Sequence, residues 1–474
     1  MNRHEKGLSN IRRWMLSGTA IVMAMAPIAA DAKDSSQVEL EARLKMLEQA
    51  VNDLKAELAQ ARAEQATAQE QTQQQVATQT QQAQAIETRV AAVEARPQAP
   101  AEGFRTGKTT FKMGGYIRTV AMFSRWDDGE VAGTSLGRDF YLPQTIPLGG
   151  KGSTNADFHA KQTRFWFDMN TDVGGHVLKG HIETDFQTTS GNERVVSGYD
   201  LRLRRAFVQY DNLTVGQDWS TFQNVAALPE STDFIGPSEG TVFIRQALIR
   251  YTQPLSKQLT LQVSAENPET ASAVAGSPAL IENDDDHLPD FVARLDYKAP
   301  FGGLSLAGMG RQLRVKDNGT GFEDSRTGWG VSAAGVIPLT ASKLTDFRFM
   351  ATYGKGIGRY LGVNFSPDAV VDPATGTLRG VSNFAAMAAL KLGWTKSLRS
   401  TVMGGYQHVD YSGALGDALI AGYNKQAWSM AGNLFWSPAK GFDLGVEYRH
   451  GEREVMSGAK GQLDRFDFAA KYSF

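Results

Sequence analysis

The feature that most constrains this chain is a pair of alternating segments with unequal connections on either side. Leu201 to Tyr210 (LRLRRAFVQY) and Leu213 to Phe222 (LTVGQDWSTF) interleave polar with apolar and aromatic residues, and Asp211-Asn212 alone joins them. That is the pattern of a two-residue hairpin. Each segment is about ten residues long, the length a tilted strand needs to cross a bilayer's hydrocarbon core. The return to the next strand, residues 223–241, is by contrast long, polar and broken by Pro229 and Pro237.

The same asymmetry continues along the chain. Sixteen candidate strands fit between Phe111 and Phe474, separated by seven short connections, such as Lys396-Ser397, and eight long ones. Short turns on one side and long loops on the other are expected of an even-stranded up-and-down barrel with both termini on the short-turn side. The predicted fold is therefore an all-β transmembrane barrel of sixteen antiparallel strands over residues 111–474, preceded by an α-helical coiled-coil segment. Side-chain alternation assigns the two faces. Phe165, Phe167 and Met169 alternate with Arg164, Trp166, Asp168 and Asn170, and Leu178, Ile182 and Phe186 with Lys179, His181, Glu183 and Asp185. One face suits lipid and the other suits water. The final strand puts Phe466, Phe468, Ala470, Tyr472 and Phe474 on one face, similar to the terminal signal that barrel-assembly machinery reads.

The N-terminal part reads differently. Residues 1–32 combine basic side chains, an apolar run and Ala30-Asp31-Ala32, as expected of a secretory signal peptide. From Gln37 to Val93 there is no Gly or Pro, and a heptad places Leu44, Val51, Leu58, Ile86 and Val93 on one seam position and Leu40, Leu47, Leu54 and Ala61 on the other. Such a segment would reach roughly 85 Å if helical throughout. One helix cannot bury that seam alone, so residues 33–96 are expected to form a periplasmic coiled coil between copies of the chain. Its Gln-rich middle has the composition of a polar spacer. Arg96-Pro97 ends the helix, and residues 97–110 form a linker.

Composition excludes several classes of function. Beyond residue 32 there is no apolar run of membrane-helix length. The formal charge is −2, and removal of residues 1–32, with four basic and two acidic side chains, takes it to −4, so nothing points to nucleic acid. Cysteine is absent, and no nucleophile elbow, His-Glu-x-x-His or phosphate loop is present. No enzyme, cofactor or metal site is therefore predicted. His181 beside Glu183 and Asp185 is read as ordinary lumen polarity, and Asp284-Asp285-Asp286 as a solvated acidic loop.

The arginines carry the functional signal. By alternation Arg118, Arg164, Arg202, Arg204, Arg245 and Arg250 face the lumen, and Arg204-Arg205 breaks strict alternation, so a bulge is expected there with the inward residue left open. A basic ladder along a narrow water path attracts anions. Acidic residues at Asp168, Glu183, Asp185 and Asp218 would offset part of this charge or brace the wall. The third long loop, from Asn224 to Gly240, is similar in position to the loop that narrows general porins, and would set Glu230, Asp233 and Glu239 across from the basic wall.

Taken together, these features make the chain resemble the DcaP-type trimeric porins of Gram-negative outer membranes. The resemblance is carried by the N-terminal heptads, LRLRRAFVQYDNLTVGQDWSTF, the PEST-DF-GP loop, IRQALIRYTQP and the terminal aromatic strand. It implies a homotrimer in the outer membrane, in contact with lipid and lipopolysaccharide, with a periplasmic coiled coil. It also implies a basic lumen passing small anionic solutes such as dicarboxylates, over Arg202, Arg204, Arg245 and Arg250 with Trp219-Ser220 leading into the constriction. Phosphate-selective porins share these traits, and a barrel that chiefly anchors a periplasmic tether is the structural alternative.

Overall fold

The computed structural model describes residues 103–187, 191–193, 196–283, 285–317 and 322–474, with scattered positions between Lys45 and Arg62. The expected signal peptide, the linker up to residue 102 and most of the coiled-coil segment lie outside the described residues. The described positions between Lys45 and Arg62 are all helical and exposed, seam residues Val51 and Leu58 among them.

Sixteen strands form the barrel: β1 Thr109–Trp126, β2 Ser153–His159 continued by Arg164–Val173, β3 His176–Asp185, β4 Arg202–Tyr210, β5 Leu213–Trp219, β6 Arg245–Pro254, β7 Leu259–Glu266 and β8 Asp290–Ala299; then β9 Gly302–Asp317, β10 Phe322–Pro338, β11 Asp346–Lys355, β12 Ser382–Gly393, β13 Leu398–Asp410, β14 Asn424–Ala439, β15 Phe442–Val455 and β16 Lys460–Ser473. Each pairs antiparallel with the next, as in the registers Ala206↔Gln217 of β4/β5 and Arg245↔Trp219 of β5/β6. The sheet closes where β16 meets β1, from Tyr116↔Ser473 to Trp126↔Leu463. Phe474 and Gly115 then exchange backbone hydrogen bonds of 3.2 and 3.1 Å. Closure leaves no open edge, which is the condition for β-structure to sit in hydrocarbon.

The expected two-faced pattern holds along the wall. On β16, Phe466, Phe468 and Tyr472 are exposed on the outer surface, while the intervening Arg465 and Asp467 are buried inside. The same alternation sets Phe165, Ile182, Leu203, Val215 and Ile249 outward.

One loop expectation needs correction. The connection expected to be long near residues 452–461 is tight, because β15 and β16 stay paired to Glu454↔Lys460, and β9 and β10 likewise stay paired to Asp317↔Phe322. Loops 4 and 6, near residues 268–289 and 357–380, carry secondary structure of their own. Each holds a hairpin, Ala271–Val274 with Ser277–Glu282 and Ala369–Asp372 with Thr377–Gly380, and parallel pairing of Ser272–Val274 with Ala369–Val371 joins them into one four-stranded sheet. Ala273, Val370, Val381, Tyr411 and Tyr423 pack there into a buried cluster, so apolar burial at the barrel mouth comes from the loops themselves.

Candidate functional site

Residues 220–244, the third long loop, fold into the barrel. Arg348 Nη1 of β11 donates to the Leu228 carbonyl (2.6 Å), Arg399 of β13 and Lys391 of β12 pair with Glu230, and Glu447 of β15 accepts from Ser231 Oγ and Thr232 N. Arg118 Nη2 of β1 donates to the Thr232 carbonyl (2.5 Å). Two glycines permit the close approach: a Cβ at Gly240 would stand 2.3 Å from the Ala386 carbonyl oxygen, and one at Gly405 would stand 2.7 Å from a Glu239 carboxylate oxygen. The loop is thus pinned to β1, β11, β12, β13 and β15 around the inner wall.

The three loop carboxylates do not form an acidic face opposite the arginines. Glu230 is held by Arg399 and Lys391; burial pushes its carboxyl up, but hydrogen bonds and charge from these two cations outweigh that and hold it below the ordinary value. Asp233 accepts from Ile235 N, Gly236 N and Tyr141 N, locking loop 3 to loop 1, residues 127–152. Glu239 is wholly buried against Ser429 Oγ of β14, and desolvation raises its carboxyl. A buried acid needs such partners, and the loop supplies them locally or from the far wall, which turns all three away from the ladder.

The arginines do gather on one wall, β2 to β6. Arg204 is almost fully buried and forms bonds of 2.6 Å to both Glu183 and Asp185. Arg202 and Arg164 reach Asp185 and Glu183, while Arg205 and Arg250 share Asp218 at 2.6 and 2.5 Å. The anticipated bulge is present: the β3/β4 register shifts between Glu183 and Thr184, so Glu183 faces Arg205 and Thr184 faces Leu203. The open choice between Arg204 and Arg205 resolves to both, since each reaches a lumen carboxylate. Five arginines, Arg164, Arg202, Arg204, Arg205 and Arg250, therefore share three carboxylates, and Arg118 stands apart as a loop anchor.

Arg245 differs from its neighbours. It has no ion pair among the described residues; its guanidinium lies 4.5 Å from the Trp219 ring centroid and 5.6 Å from that of Phe243, and its Nη1 is buried without a hydrogen-bond partner. It lines a cavity of about 430 Å³ with Arg202, Arg359, Phe234 and Phe243. Arg359, on the short 3-10 turn Gly358–Tyr360 of loop 6, escaped the sequence reading. A lone Arg in a glycine-rich loop carries no periodicity, and it is the bridge of Val242 to Leu361, with the bond from Phe243 N to the Tyr360 carbonyl and its own bond to Gln246, that brings it to the arginine wall.

A model of the DcaP outer membrane protein family matches residues 64–474. The chain belongs to that family. The crystal structure of the outer membrane channel DcaP of Acinetobacter baumannii is similar at 27% identity and a TM-score of 0.66, covering 78% of this chain and 99% of that one. OmpT of Vibrio cholerae, at 11% identity and a TM-score of 0.50 over 79% of this chain and 100% of its own, shares the fold alone. No curated protein sequence matches. This DcaP family member is thus an outer-membrane β-barrel of the porin type.

Proposed function

We propose that this DcaP family member is a passive outer-membrane channel for small anionic solutes, carboxylates among them, with Arg164, Arg202, Arg204, Arg205, Arg245 and Arg250 as the anion path. The observation that carries the reading is the charge balance of the wall: six guanidinium groups against Glu183, Asp185, Asp218 and the His181-bonded Asp168, with Arg245 unpaired among the described residues. Ion pairs hold most of the ladder rigid, and the surplus sets its sign. A positive wall with a low-dielectric backing concentrates anions and repels cations without any moving part. The similar A. baumannii protein is described as a channel, which supports the transport reading.

The heptads of residues 33–96 fit a periplasmic coiled coil that, with the barrel wall, joins three copies. Val51 and Leu58, helical and exposed in a single copy, are apolar seam residues that such partners would cover.

Planar-bilayer recording under a KCl gradient tests the function. The reversal potential is expected to have the sign of a chloride-preferring pore. Arg245→Ala should lower the Cl⁻/K⁺ permeability ratio about two- to fivefold, since a unit charge a few Å from a hydrated ion is worth about 1 kcal/mol. A cation-preferring pore, or a ratio untouched by Arg245→Ala, would overturn the reading.

A further inference from the structure

Between loop 3 and the wall the protein buries more acid than base. Where the short turn Ser238–Gly240 packs down, Asp233, Glu239, Glu447 and Asp467 are all buried, and the guanidiniums set among them are those of Arg449 and Arg465. Arg118 is engaged by the carbonyls of Ser231 and Thr232. The remaining elements add no charge: β12 and β13 present Ala386, Met387, Met403 and Gly405 to residues 236–240, β14 presents Ser429, and loop 1 brings the Tyr141 phenol against Arg449. Four carboxyls cannot all ionise there, because a buried charge without a partner is costly enough to take up a proton instead.

Hydrogen bonding shows which two stay neutral. Asp233 accepts three backbone N–H groups, and Glu447 is bonded by Arg449 Nη2 (2.9 Å), Asn433 Nδ2 (3.0 Å), Thr232 N and Ser231 Oγ. Both are arranged to hold a charge. Glu239 receives one bond, from Ser429 Oγ, which itself accepts from Arg449 Nη1 at 3.1 Å, and Glu239 Oε2 is buried with no partner. Asp467 Oδ1 is buried and unmatched in the same way. With Glu239 and Asp467 neutral, two carboxylates face two guanidiniums.

We propose that Glu239 is a proton-operated catch on loop 3: as the neutral acid it seats the turn Ser238–Gly240 against β13 and β14, and loss of its proton to lumen water releases that turn into the channel. There is no room to hydrate a carboxylate in place, since a Cβ on Gly405 would already stand 2.7 Å from Glu239 Oε1. Burial raises the Glu239 carboxyl, so its hold is full below the ordinary value of 4.5 and fades as pH climbs through the raised one. The catch acts on the width of the path, whichever ion the path prefers.

Single-channel recording of the full-length reconstituted protein from about pH 5 to about pH 9 tests the catch. A lowered conductance level is expected to appear as pH rises, its share of the open time growing by up to about tenfold per pH unit, the slope of one linked proton. Glu239→Gln, neutral and of nearly the same shape, should keep the upper level across the range. That variant retains His181 and Asp286, so their titration cannot imitate the result. Ser429→Ala withdraws the donor that favours the carboxylate and should move the onset to higher pH, which carries the test if Glu239→Gln fails to assemble. A native channel whose levels ignore pH, a Glu239→Gln channel with the native pH dependence, or an onset that Ser429→Ala leaves in place overturns the proposal.

Discussion

Arg245 sits opposite Trp219 in the β5/β6 register, its guanidinium carbon 4.5 Å from the centroid of the indole ring. An aromatic face holds a cation in place without cancelling its charge, whereas a carboxylate holds and cancels together. The lumen wall uses both devices side by side. Arg205 and Arg250 share Asp218, and Arg245, one step further along the wall, is left charged toward the cavity.

Removing a carboxylate from this wall should therefore sharpen selectivity and weaken the fold together. Asp218→Asn frees Arg250 and leaves Arg205 only its 3.6 Å pair with Glu183, and we expect the Cl⁻/K⁺ ratio to rise about twofold or more. The same change leaves Arg205 and Arg250 without their shared partner, and resistance to heat in detergent should fall by an amount on the order of 3 kcal/mol. Gel mobility after graded heating reads the second effect, and reversal potentials the first.

The anchoring of loop 3 predicts a different phenotype. Glu447→Gln weakens the bonds from Ser231 Oγ and Thr232 N, which are charge-assisted at 2.9 and 3.0 Å. Single-channel conductance should rise and become noisier, with the sign of selectivity kept. An unchanged conductance would mean that the loop does not set the width.

Gly405 offers a steric version of that test. A Cβ there would meet Glu239 at 2.7 Å and Pro237 at 2.9 Å, so Gly405→Val must push the loop off the β13 wall toward the lumen. Conductance is expected to fall, opposite to Glu447→Gln. Gly432→Val, where a Cβ meets nothing within 4 Å, is the matched control.

Much of this architecture was legible in the sequence, for reasons that can be stated residue by residue. Lipid outside and water inside impose a period of two on every strand, so β8 could be placed at 290–299 without coordinates. The break of that period at Arg204-Arg205 marked the bulge. The loop sheet was hidden, because Ser272 and Ala369 pair across almost a hundred residues in segments too short to show alternation. The direction of Glu230, Asp233 and Glu239 was hidden too, since it depends on Arg399, Tyr141 and Ser429, which sequence separation does not bring near. Arg359 needed the loop 3 to loop 6 contact to acquire meaning.

Loop 4 carries a pH-dependent weakness. Asp286 accepts from Thr270 Oγ1 at 2.9 Å, but its second oxygen is buried without a partner, and burial pushes the carboxyl up to about 6. The folded loop favours the protonated form. Its stabilising contribution is full below the ordinary value of 3.8 and is lost as pH climbs through about 6. Asp286→Asn should therefore resist proteolysis of the extracellular loops better than the native chain at about pH 8, with the difference gone at about pH 4. Protection that is equal at both values would contradict the assignment.

The natural absence of cysteine permits the most direct test of the central claim that the Arg250 face of β6 borders a continuous aqueous opening and the Ile249 face does not. Arg250→Cys and Ile249→Cys channels are exposed to an anionic sulfonatoethyl thiosulfonate reagent during bilayer recording. The account predicts that modification at position 250 cuts the current and shifts the reversal potential toward cations, while the channel altered at position 249 keeps both unchanged. A conducting Arg250→Cys channel that ignores the reagent, or an Ile249→Cys channel that responds to it, would contradict the account.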